Sequence, residues 1–161
     1  MRTHMSSQTA SAQPAHVLEV LTDPAACGRW APIAFTTEHA CGQRLQAGTR
    51  TVLQGRIAGR NVSFEVEVLA ADDRGLSLCA SGPVGLDVDY RLTPAASGTL
   101  IDAQITLTQA GGITGAVVSR ATDAVLSAGA LRCALRAIAA EAERLQHDHI
   151  ERKTTNAPPG P

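Results

Sequence analysis

Between Phe35 and Thr108 the chain alternates apolar and polar residues in six successive runs, with short turn-forming stretches between them. Val62, Phe64, Val66 and Val68 interleave with Ser63, Glu65 and Glu67. Leu86, Val88, Tyr90 and Leu92 interleave with Asp87, Asp89 and Arg91, and Ile101, Ala103, Ile105 and Leu107 with Asp102, Gln104 and Thr106. Thr51, Leu53, Gly55 and Ile57 repeat the pattern, as do Leu76, Leu78 and Ala80, and Phe35, Thr37, His39 and Cys41 begin it. A period of two places alternate side chains on one face of a strand. The intervening segments, such as Gly59-Arg60-Asn61, Asp72-Asp73-Arg74-Gly75 and Gly82-Pro83, suit tight turns. Six strands joined this way predict an antiparallel meander with one apolar face, and that face needs a cover.

The cover is expected from Gly115 to Leu145. Val117, Ala121, Ala124, Ala128, Leu131, Leu135, Ile138, Ala142 and Leu145 recur at steps of four and three, which puts them on one side of a single long helix. The first half of this stripe is mainly alanine and the second half carries large residues. Small side chains either leave a hollow above the sheet or let the helix lie closer to it, and the stripe alone allows both. Gly129 is the weak point, because a glycine inside a helix costs ~1 kcal/mol relative to alanine.

Ahead of the meander, residues 1–10 form either an edge strand or a loose arm. Ser11-Ala12-Gln13-Pro14 reads as a helix start and Asp23-Pro24 as its stop, followed by a second short helix to Trp30. Residues 1–146 make one domain, and the polar, Pro-rich tail 147–161 is expected to be disordered. His147 and His149 stand two apart in that tail, with no third ligand nearby, so no metal site is expected. Net charge is −1 with 18% charged residues, which gives no reason to expect nucleic acid as a partner. No apolar run is long enough for a membrane span. Cys27, Cys41, Cys79 and Cys133 fit no zinc or redox spacing, and residues 1–12 lack the apolar core of a signal peptide, so free thiols and a cytoplasmic location are expected.

This order of elements resembles the START-like helix-grip superfamily, also called SRPBCC, which includes polyketide cyclases and aromatases. Ser11-Ala12-Gln13-Pro14-Ala15-His16-Val17 through Leu21-Thr22-Asp23-Pro24 is similar to the family's opening helix. Gly28-Arg29-Trp30-Ala31-Pro32 is similar to its W-x-P second helix, and Ala47-Gly48-Thr49 and Gly98-Thr99 to its turns. The resemblance implies an α+β fold, with an antiparallel sheet wrapped around a long C-terminal helix and two short helices after the first strand. It also implies a pocket between sheet and helix. Leu53, Phe64, Val66, Leu78, Val88, Ile105 and the alanines Ala121, Ala124 and Ala128 would wall it, with Trp30 near the entrance, and such walls suit a hydrophobic small molecule.

Strand parity puts Glu65, Glu67, Asp87, Asp89 and Asp102 on the polar face, so they read as solvated surface. Gly55 could host a bulge that reverses parity locally. Tyr90 is the clearest polar tip on the apolar face. Its hydroxyl either donates to a ligand carbonyl or bonds to backbone in the core. His39 shares the inward parity and either shuttles a proton or is held at the sheet end by a neighbouring hydroxyl. Arg29 either meets an anionic ligand group or stays exposed. These features, with the resemblance, imply a cyclase/aromatase or dehydratase working by positioning, with no cofactor and no metal. The alternatives are a non-catalytic carrier or sensor of a hydrophobic ligand, and an interaction protein with no ligand. A homodimer is compatible with any of the three.

Overall fold

A computed structural model of the chain describes residues 2–31, 35–37 and 43–156. The elements in order are β1 (Arg2–Ala10), α1 (Pro14–Thr22), α2 (Pro24–Trp30), β2 (Phe35–Thr37), β3 (Arg50–Ile57), β4 (Arg60–Asp72), β5 (Gly75–Ser81), β6 (Val84–Ala95), β7 (Gly98–Ala110), α3 (Gly112–Ser127) and α4 (Ala130–Thr155). All seven strands join one antiparallel sheet in the order β1-β7-β6-β5-β4-β3-β2. The start of the chain is therefore a strand, laid along β7 with His4 opposite Ile105.

The period-two reading places the faces correctly. Phe64, Val68, Leu76, Tyr90, Ile101 and Ala103 are buried, while Glu65, Asp87 and Asp89 lie on the opposite, solvent-facing side. On the outer face, cross-strand neighbours pair: the Ser77 hydroxyl donates to Asp89 at 2.5 Å, and Arg50 donates to Glu67 at 3.3 Å. Register between β3 and β4 runs unbroken through Gly55, which faces Val62, so no bulge forms there. Irregularities lie instead in β4 between Val68 and Ala70, with Leu69 exposed beside it, and in β6 between Val84 and Leu86.

The long helix differs from its expectation in three ways. First, it is broken: Gly129 takes the left-handed conformation, with φ of +99°, and separates α3 from α4. Glycine reaches that region without the Cβ clash other residues meet, which is why it so often follows the last residue of a helix. Second, the break changes the phase of the buried stripe. On α4 the inward residues are Leu131, Leu135, Ile138 and Ala142, as the stripe implied. On α3 they are Gly115, Val118, Thr122 and Leu126, whereas Ala124 and Ala128 are exposed and Ala121 is half-buried. Leu126 and Leu131 are five residues apart, about 140° around a continuous helix at about 100° per residue. They can both face the sheet only because the chain turns between them. Third, α4 continues through Thr155, so residues 147–155 are helical rather than disordered. His147 pairs with Glu151 one turn on at 3.1 Å, and residues 157–161 lie outside the described ones.

Side chains of α4 also cap the start of the chain's first helix. The backbone N–H of Ser11 donates to Glu143 at 2.8 Å and that of Gln13 to Gln146 at 2.7 Å, so Ser11 is not the cap its sequence suggested. Asp23 ends α1 and caps α2, accepting from the Ala25 N–H at 3.0 Å.

Arg29 ties α2 to α4 through a two-pronged pair with Glu141: Nε to Oε1 at 2.7 Å and Nη2 to Oε2 at 3.1 Å. Hydrogen bonding and charge from Arg29 hold the Glu141 carboxyl below its ordinary value. A depressed folded-state value means that the pair stabilises the fold above the ordinary glutamate range and loses that contribution as pH falls through the folded value. The Arg29 side chain is 60% exposed, so solvent screens much of the attraction. Arg29→Ala is expected to lower stability near neutral pH by about 0.5–1 kcal/mol. The gap should close as acid protonates Glu141. Urea melts across the acid range check this, and a gap that does not depend on pH would show that lost packing, not charge, is responsible.

Candidate functional site

The apolar sheet face, α2 and α3 border a partly open pocket of about 160 Å³. Its floor is the strands: Thr51 and Leu53 of β3, Val66 of β4, Leu78 of β5, Leu86, Val88 and Tyr90 of β6, and Ile105 of β7. Thr122 and Leu126 of α3 close it from above. Pro24, Cys27, Trp30 and Ala31, in and after α2, form one side with Phe35 and Leu45. Leu45 is held there because its backbone N–H donates to the Thr22 carbonyl at 2.8 Å.

Trp30 is a fixed part of this wall. Its indole N–H donates to the Val20 carbonyl at 3.3 Å, and its ring meets Tyr90 edge to face, with centroids 5.6 Å apart. An edge-to-face pair orients both rings, so Trp30 in turn sets where Tyr90 points. Tyr90 is buried, and burial together with nearby Cys27 pushes its phenol well above the ordinary tyrosine value. The hydroxyl therefore stays protonated. Among the described residues it has no hydrogen-bond partner, so the backbone-bonded alternative does not hold. Cys27 donates weakly from Sγ to the Leu21 carbonyl at 3.6 Å, and burial, with Asp23 adding to it, pushes its thiol up to about 12. A thiol that resists ionisation is a poor nucleophile.

No Asp, Glu, Lys, Arg or His is among the described residues of the wall. Arg29 is committed to Glu141 rather than turned to a ligand. His39 lies outside the described residues, as does Cys41. Cys27, Cys79 and Cys133 are free thiols. Among the described residues no group of three His, Cys, Asp or Glu side chains could hold a metal ion, and no helix is long and apolar enough to cross a membrane.

The wall brings together Trp30, Leu53, Val66, Leu78, Val88, Tyr90 and Ile105, all expected from the sequence. Phe64 is not among them. It is buried, edge to face with Phe35 at 5.9 Å. Ala121, Ala124 and Ala128 also do not line the cavity, for the phase reason given above, and Thr122 and Leu126 take their place. Thr122 was the residue most hidden from sequence reasoning. It is 2% exposed, and its Oγ1 has no hydrogen-bond partner among the described residues. The signal lay in the glycine at 129, the weak point of the long helix: restarting the helical period there moves the inward face to Val118, Thr122 and Leu126.

A seven-stranded antiparallel sheet, two short helices after the first strand and a long C-terminal helix define the helix-grip class of proteins, with its pocket between sheet and helix. The family model described as polyketide cyclase / dehydrase and lipid transport matches residues 1–143, and the chain belongs to that family. Similar solved structures include protein CV1439 from Chromobacterium violaceum, with a TM-score of 0.66 at 15% identity, covering 89% of this chain and 99% of that one. TTHA0849 from Thermus thermophilus has a TM-score of 0.65 at 14% identity, covering 88% and 97%. The Zhui aromatase/cyclase from Streptomyces sp. R1128 has a TM-score of 0.61 at 18% identity, covering 89% and 94%. At such identities the likeness is one of fold. No curated protein matches the sequence.

Proposed function

We propose that this chain binds a hydrophobic small molecule in the cavity beneath α3 and guides its cyclisation or dehydration. The observation that carries the reading is the wall itself: a half-open, almost wholly apolar pocket with a neutral Tyr90 hydroxyl that has no partner among the described residues. Apolar walls give affinity of roughly 25 cal/mol per Å² of apolar surface buried, before ordering costs. A neutral phenol donating to a ligand carbonyl polarises it toward enolisation or addition, and the enclosure holds the reacting atoms close. Membership of the cyclase/dehydrase family and the fold shared with an aromatase/cyclase support this reading.

A second reading, a non-catalytic carrier or sensor, is favoured by one observation: the described wall supplies a donor but no base. One experiment addresses both. The protein is titrated calorimetrically with small apolar ring compounds, then mixed with a short linear triketide and followed by mass spectrometry for loss of water. Binding with catalysed water loss supports the enzyme, and binding alone supports the carrier. No binding of any such compound refutes both. The free thiols fit a reducing compartment, so the same proposal places the protein in the cytoplasm.

A further inference from the structure

The ends of α3 set it apart from the rest of the helical layer. It opens on Gly112, with φ of +66°, and Gly129, with φ of +99°, divides it from α4. Gly111, just ahead of it, stays on the sheet through its N–H to the Pro83 carbonyl at 3.3 Å. Glycine moves between the left-handed region and the rest of φ/ψ space without a Cβ clash, so both ends can absorb a rotation of the helix between them.

The hold of α3 on the sheet is thin. It buries Gly115, Val118, Thr122 and Leu126, of which one has no side chain and one is polar, whereas α4 buries Leu131, Leu135, Ile138 and three alanines. Its outer face leaves Ile113 and Val125 exposed. Thr122 works against the closed position. Thr22, Thr154 and Thr155 each donate to the carbonyl four residues back. The Thr122 Oγ1 is instead buried, turned away from the pocket, with no hydrogen-bond partner among the described residues. An unpaired buried hydroxyl is destabilising, and lifting α3 would hydrate it. One polar anchor opposes this. Asp123 accepts from the His4 Nε2–H at 2.9 Å and from Arg2, both on the edge strand β1. Among the described residues no other side chain of α3 makes a hydrogen bond or ion pair to another element.

Resting on the binding reading above, we propose that α3 is a hinged lid, latched to β1 by Asp123 with Arg2 and His4, whose lifting admits and releases the hydrophobic ligand. Gly112 and Gly129 are its joints, and Thr122 and Leu126 are the part of the pocket wall that leaves with it. Such a lid acts on rates rather than affinity, because a weaker latch raises the open population for entry and exit alike. The competing route is the side of the pocket that is already open, which needs no motion of α3.

Stopped-flow fluorescence of the full chain with the neutral probe N-phenyl-1-naphthylamine separates the two routes. Asp123→Ala should raise the association and dissociation rate constants together, by about three-fold or more, with Kd held within about two-fold. Thr122→Val, which removes the unpaired hydroxyl, should lower both. In the ligand-free protein, amide hydrogen exchange of Asp123→Ala should quicken across α3 and stay unchanged across the buried part of α4. Probe binding with rate constants that neither variant moves would overturn the lid and leave the binding reading intact. Exchange that quickens equally in both helices would mean that the whole fold had loosened, and would also overturn the lid. If the parent protein binds no probe, the lid falls together with the binding reading.

Discussion

Gly75→Ala is expected to destabilise the protein by roughly 3 kcal/mol or more, among the largest single effects available in the chain. Gly75 opens β5 at φ of +140°, a region that side chains rarely adopt. It also lies directly against β6. A Cβ built there would overlap the Tyr90 carbonyl oxygen and stand 2.8 Å from the Tyr90 carbonyl carbon and 3.2 Å from Arg91 Cα. Backbone cannot swing aside as a flexible side chain can, so the two strands would have to part. The strand that moves carries Tyr90, so the cavity should suffer with the fold. Gly48→Ala separates strain from collision. Gly48 has φ of +87° with nothing within 4 Å of the added carbon, so it should show only the conformational penalty, about 1–2 kcal/mol. Urea melts of both variants decide the matter. Equal losses would mean that the β5–β6 approach at Gly75 relaxes freely.

The strands were legible because their signal is local and repeated. Each of Val62–Val68, Leu86–Leu92 and Ile101–Leu107 states its inward face several times over, and a register slip would have turned every one of those apolar residues to solvent. Leu53, Val66, Leu78, Val88, Tyr90 and Ile105 accordingly line the cavity, as their alternation implies. The helical side follows a different phase from the one its stripe implies. One left-handed glycine resets the phase of a helix, and the alanines of α3 are compatible with either phase because alanine is at home both buried and exposed. Leu126 and Val118 held the information, but the regular steps running from Leu145 back to Ala128 outweighed them. The extension of α4 to Thr155 was hidden for another reason. That segment is polar apart from the exposed Ile150 and has no buried stripe, with His147 paired to Glu151 one turn on. Phe64 followed the right parity and still missed the cavity, because parity assigns a face, not a position along it. Phe35 and Phe64 pack against each other near the β2 edge, and Phe35 is the member of the pair that reaches the cavity.

Val88→Phe is expected to abolish ligand binding while leaving the fold intact. Val88 lies in β6 between Leu78 of β5 and Ile105 of β7, and all three line the cavity. A phenyl ring at this position would project into a volume of about 160 Å³ and occupy much of the space a ligand ring would use. Filling an apolar cavity commonly stabilises a protein by about 0.5–2 kcal/mol, whereas forcing the same atoms into a packed core destabilises it by about 1–3 kcal/mol. The sign of the stability change thus reports whether the space is real in solution, independently of any ligand. The expected pair of results is an unchanged or raised melting temperature and at least a hundred-fold loss of affinity for whichever ring compound the parent protein binds. A lower melting temperature for Val88→Phe with ligand affinity retained would place the ligand elsewhere on the molecule. It would also remove the physical basis for Tyr90 as the polarising donor, since the phenol would then be only a strained member of the core.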